Sequence, residues 1–115
     1  MAFSEFEHAR VEKFATTYIQ QNRPPLHMRD QLDIGYRIKE QSIEFFEIRP
    51  RLNNKSTKIE QPIAKATHIK QSKTWQIFWL RQDLKWHSYD PVPEVSSFEE
   101  FLAVLAEDAH GCFRG

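Results

Sequence analysis

Six residues in the second half of the chain combine cationic and aromatic side chains: Lys70, Lys73, Trp75, Arg81, Lys85 and Trp86. Ammonium and guanidinium groups hold phosphates, and an indole face stacks on any nucleobase. Gathered on one sheet face, this set would suit a single-stranded nucleic acid. The same residues also have a structural use. Tryptophans flanked by Ala64, Ala66 and Ile77 fit a core beneath a helix, with lysine and arginine stems lying along its rim. That structural use carries more weight, so the six stand as a candidate binding face and not as an assigned one.

Other chemistry is thinner. Asp33 and the triplet Glu47-Ile48-Arg49 resemble the clustered acids that hold Mg²⁺ in metal-dependent nucleases. Pairing strand 31–39 with strand 42–50 sets Ile34 opposite Glu47, so Asp33 and Glu47 project to opposite faces and do not share a metal without a bulge. An ion pair of Glu47 with Arg49 or Lys65 is the simpler use. The five histidines, His8, His27, His68, His87 and His110, show no metal-type spacing. The expected registers put His68 on the Trp75/Trp79 face and His87 on the Phe78/Tyr89 face, which keeps them apart. Cys112 has no fixed base beside it and reads as a structural thiol. The chain has three glycines, none of them grouped, and therefore no phosphate-cradling loop. No cofactor is expected, and a catalytic role is less expected than a binding one.

Whatever binds, a fold must position it. A chain of 115 residues with 40% apolar and 13% aromatic content can bury one core without covalent staples. A single cysteine gives no intramolecular disulfide, and no apolar run is long enough to span a bilayer, which points to the cytoplasm. The zero net charge conceals an uneven distribution. Residues 49–85 hold nine basic and two acidic side chains, and residues 86–115 hold one and six. The basic segment attracts phosphate in principle, yet the acidic tail can neutralise it within the fold.

The elements follow from periodicity. Ser4 with Glu7 forms a capping box that opens a helix to about Gln21, striped by Val11, Phe14, Ala15, Tyr18 and Ile19. Asn22-Arg23-Pro24-Pro25 stops it. Two strands then alternate around a tight turn at Glu40-Gln41, with Ile38 opposite Ile43, Tyr36 opposite Phe45 and Gly35 beneath Phe46. After the polar loop 51–58, strand 63–71 pairs with strand 74–82, placing Ala66 opposite Trp79 and Lys70 opposite Trp75. A third hairpin, turning near Asp83-Leu84, sets Arg81 beside Trp86, Leu80 beside His87 and Phe78 beside Tyr89. Pro91 and Pro93 end the sheet. Ser97 with Glu100 caps a second helix, running to about His110 with Gly111 as its C-cap.

Several runs carry a resemblance: RPP at 23–25, QLDIGYRI at 31–38, SIEFFEIRP at 42–50, PIAKATHIK at 62–70, the DLKWH motif at 83–87 and the ending D-x-x-G-C-F. Together they resemble, over nearly the whole chain, a family of small bacterial proteins catalogued only as a domain of unknown function. The resemblance implies a free-standing bacterial domain and no assigned catalytic or binding residues.

The expectation is therefore one α+β domain over residues 1–115, a curved five-stranded antiparallel meander flanked by an N-terminal and a C-terminal helix. Strands apolar on both faces call for helices on opposite sides or for a second subunit. The function expected is that of a non-catalytic cytoplasmic module that binds a protein or other partner through its sheet or the loop 51–58, or itself as a homodimer, with no membrane association. Single-stranded nucleic-acid binding is the alternative and metal-dependent hydrolysis the third.

Overall fold

A computed structural model describes residues 4–54 and 56–108. Helix α1 (Glu5–Asn22) starts where Ser4 accepts a hydrogen bond from the Glu7 backbone N–H and its hydroxyl meets the Glu7 carboxylate. A single 3-10 turn at Leu26–Met28 leads into strands β1 (Asp33–Lys39), β2 (Ser42–Pro50), β3 (Lys58–Ile69) and β4 (Thr74–Leu80). Two short strands, β5 (Trp86–Ser88) and β6 (Glu94–Val95), precede helix α2 (Phe98–Glu107). Ser97 caps α2 through the Glu100 N–H, and Asp108 ends it in the left-handed region at φ 42°. The expected end near His110, the Gly111 cap and Cys112 lie outside the described residues.

The fold is α+β. The antiparallel sheet runs β1-β2-β3-β4-β5, and β6 also pairs with β4, so the sheet has one strand more than expected. Pro91 and Pro93 do not end it. The chain returns after Tyr89 to place Val95 opposite Trp75, where β5, paired only with Phe78 to Leu80, has left the edge open.

The first hairpin has the expected register, with Ile38 opposite Ile43, Tyr36 opposite Phe45 and Ile34 opposite Glu47. Its turn works without glycine because Glu40 adopts φ 55°. The other two registers differ. In the second, Ala64 faces Trp79, Ala66 faces Ile77 and His68 faces Trp75. The turn occupies Lys70 to Lys73, closed by the Lys73 N–H on the Ile69 carbonyl with Lys73 at φ 58°. The third hairpin closes through Arg81 and Lys85 with Leu84 at φ 63°, an odd-length loop that slips the register by one. Leu80 thus faces Trp86, Trp79 faces His87 and Phe78 faces Ser88.

Both helices pack on the same sheet face. Tyr18 of α1 meets Phe45 edge-on at 5.3 Å, Phe101 of α2 lies 6.0 Å from the same ring, and Phe98 lies 5.1 Å from Trp75. Phe45, Ile43, Ala66, Ile77, Phe101 and Leu105 are at most 1% exposed and form the centre of the core. A bulge between Phe45 and Phe46 moves the β3 partner from Ala64 to Pro62, so adjacent residues Ile63 and Ala64 both reach the core. Among the described residues no helix covers the opposite face.

Candidate functional site

The six cationic and aromatic residues do not share a surface. β4 places them at its two ends, about 20 Å apart at ~3.3 Å per residue. At one end Trp75 is 6% exposed and packed between His68 and Phe98, ring centroids at 5.0 and 5.1 Å, so its face is closed to a base. Lys70 and Lys73 belong to the adjoining turn. At the other end the Arg81 guanidinium covers Trp79 at 5.4 Å on the helix-covered face. Lys85 lies in the β4–β5 loop, its N–H donating to Asp83. Trp86 projects to the uncovered face, because the one-residue slip turned it there.

That uncovered face is where cations and rings do meet. The Lys65 ammonium stands between Phe78 and Trp86, 5.0 and 5.1 Å from their centroids. Arg37 reaches across Phe46, 5.0 Å from its centroid, to an ion pair with Glu60. Glu44 pairs in register with both Arg37 and Lys65. The long stems shield rings that would otherwise face water, so Phe78, Leu80 and Trp86 are half-buried without any helix above them. Lys65 and Arg37 escaped the sequence reading as site residues. The Glu44–Lys65 pairing follows from the β2–β3 register, which the sequence leaves unaligned, and the Lys65–Phe78 pairing from the β3–β4 register, two residues from the expected one.

The helix-covered side has a cleft of about 220 Å³ where both helix N-termini approach the β3–β4 turn. His68, 12% exposed at its side chain, presents Nδ1 to the Glu7 carboxylate at 3.6 Å and lies against Trp75. Arg10 and Glu99 pair across the mouth at 3.1 Å. The neighbouring hydroxyls serve structure: Ser96 and Ser97 both donate to Glu100, and Ser97 accepts from its N–H. The arrangement fixes an imidazole beside a carboxylate without offering a hydroxyl free for attack.

Asp33, Glu47 and His87 are each paired elsewhere on the sheet. Arg23 donates twice to Asp33, at 2.8 and 2.7 Å, and holds that carboxyl below its ordinary range; burial opposes the shift, and the Ile34 N–H adds to it. Glu47, 7% exposed, accepts twice from Arg49 at 3.1 and 2.9 Å. The two acids belong to adjacent register positions and so to opposite faces. Among the described residues no three His, Cys, Asp or Glu side chains come together as a metal site. His87 bonds Asp83 at 2.8 Å, which lowers the Asp83 pKa. The slipped register puts His87 on the same face as His68, contrary to the sequence reading, yet their partners Trp79 and Trp75 lie four residues apart along β4. No described helix is long and apolar enough to cross a membrane.

No curated protein and no solved structure matches the chain. A family model does, over residues 3–115, and the chain belongs to that family, DUF3024, a domain of unknown function.

Proposed function

We propose that the chain is a non-catalytic binding module of the bacterial cytoplasm that pairs with a second copy of itself through the uncovered sheet face. The observation that carries this reading is the composition of that face. Phe78, Leu80 and Trp86 supply apolar area, while Arg37 and Lys65 are matched by Glu60 and Glu44. A face that balances its own charges is complementary to its copy under two-fold rotation, with Lys65 of one subunit able to meet Glu44 of the other. A phosphate strand would call for a cationic surplus there. Four strands taken at seven residues and the three residues of β5, about 4.8 Å apart, present roughly 500 Å² in projection, and side-chain relief brings this toward the ~800 Å² per partner of stable complexes.

Sedimentation at micromolar concentration is the test. A species near twice 13.7 kDa is expected, and Leu80→Glu or Trp86→Glu should return it to the monomer with the circular dichroism unchanged. A wild-type monomer at that concentration removes the reading. The alternative, single-stranded nucleic acid on the same face, draws on the Phe78, Lys65 and Trp86 cluster. It requires oligonucleotide binding that weakens steeply with salt and is lost in Trp86→Ala.

A further inference from the structure

Strands β2 and β3 outrun their neighbours. β1 begins opposite Ile48 and β4 pairs no further than Ala64, so Arg49 and Pro50 continue with Lys58 and Ile59 as a two-stranded ribbon with no strand on either side. The ribbon closes through the Arg51 N–H on the Thr57 carbonyl. Residues 49–58 hold four basic and no acidic side chains. Arg49 is held in place by Glu47 with 48% of its side chain exposed. Arg51 and Lys58 make no ion pair among the described residues. Leu52 at the tip is 98% exposed.

Alternation places the cations on every side. Arg49 and Ile59 share one face of the ribbon, Pro50 and Lys58 the other, and Arg51 stands at the tip. A planar anionic surface engages one face of such an element. A groove with phosphates along both walls engages both. The other tip residues, Leu52, Asn53, Asn54, Ser56 and Thr57, are the amide, hydroxyl and small apolar types that read base edges, although Asn54 is engaged by Ser56. A two-stranded ribbon, about 10 Å across with its side chains, fits the ~12 Å major groove of B-form DNA.

We infer that the β2–β3 ribbon is a docking element for the groove of double-stranded DNA, with Arg49, Arg51 and Lys58 on phosphates and Leu52 leading into the groove. The inference does not rest on self-association through the sheet face: of the ribbon cations Lys58 lies on the uncovered side, beyond Glu60, while Arg49 lies on the other.

Fluorescence anisotropy with a mixed-sequence duplex of about 20 base pairs, over ~50 to 200 mM salt, tests it. Binding should weaken with salt. Arg51→Ala and Lys58→Ala should each lower the log–log slope by about 0.9, which is about an eightfold loss near 0.1 M salt. Lys13→Ala, on exposed α1, should leave the slope unchanged, and melting curves of all three variants should match the wild type. Three results would each overturn the inference: no duplex binding at ~50 mM salt, binding indifferent to both ribbon substitutions, or equal affinity for a single strand of the same length. Capture by anionic phospholipid vesicles without duplex binding would transfer the ribbon to a membrane surface and equally overturn it. Sedimentation of the ribbon variants separates the two proposals, because loss of DNA binding with the dimer intact leaves the proposed function standing.

Discussion

The two faces of one sheet solve the same problem by different means. On the helix-covered face Phe45 is enclosed by Tyr18, Tyr36 and Phe101 and is 1% exposed. On the other, Phe78 and Trp86 are shielded by the stem and ammonium of a single lysine. The first arrangement removes apolar area from water permanently. The second leaves it retrievable, because a surface lysine can change rotamer at little cost while a helix cannot move aside. Burial on one side supplies stability, and semi-burial on the other keeps apolar rings shielded by side chains that can move.

The largest effect tests the covered side. Phe45→Ala should lower stability to urea by about 3 to 5 kcal/mol, and Phe78→Ala by well under half of that in the monomer. Equal losses would break the contrast between the faces.

Gly35 sharpens it from the uncovered side. A Cβ there would stand 2.9 Å from Cε1 and 3.0 Å from Cζ of Phe46, a ring already pinned from above by Arg37. Gly35→Ala should cost about 1 to 3 kcal/mol. Adding Phe46→Leu should cost less than the two single losses combined, because the smaller side chain admits the methyl.

Lys65→Ala should cost about 1 kcal/mol through two cation–π contacts and the lost stem. Lys65→Met keeps most of the stem, so full recovery in that variant would assign the shielding to packing alone.

The smallest effect lies at the start of β1. The Asp33 pKa is depressed by Arg23 below the ordinary 3.8 that applies in the unfolded chain. The stability it contributes is therefore complete above pH 3.8 and is lost as pH falls below that value through the depressed one. Much of Arg23 is exposed, so the amount is at most about 1 kcal/mol, and Asp33→Asn should flatten that part of the acid-unfolding curve.

The sequence disclosed elements better than registers, and the turns explain why. Both helices open on the capping boxes that Ser4 and Ser97 announce. The first hairpin is legible because its apolar residues match across a two-residue turn. The other two turns place Lys73 and Leu84 at positive φ, where glycine or asparagine would have signalled the loop length. A two-residue error in the second hairpin preserved the faces and misassigned only partners, so Trp79 meets Ala64 in place of Ala66. A one-residue error in the third exchanged faces, carrying Trp86 to the uncovered side and His87 to the covered one. The candidate site dispersed for that reason and because Trp75 is core. β6 was illegible because two residues just after Pro93 carry no period to read.

The bulge at Ile63 gives the core one more side chain than strict alternation would allow. Strand alternation is a reading frame, and one unpaired residue shifts it: on the ribbon side Lys58, Glu60 and Pro62 face away from the helices, while beyond it Ala64 and Ala66 face toward them. Losing Ile63 would remove the bulge but leave the Phe46–Pro62 and Phe45–Ala64 pairings and the faces of Lys58 and Ile59 in place, because β2 alternates without a break. The ribbon can therefore change in length and charge beyond Ile48 without a change of register in the core it springs from.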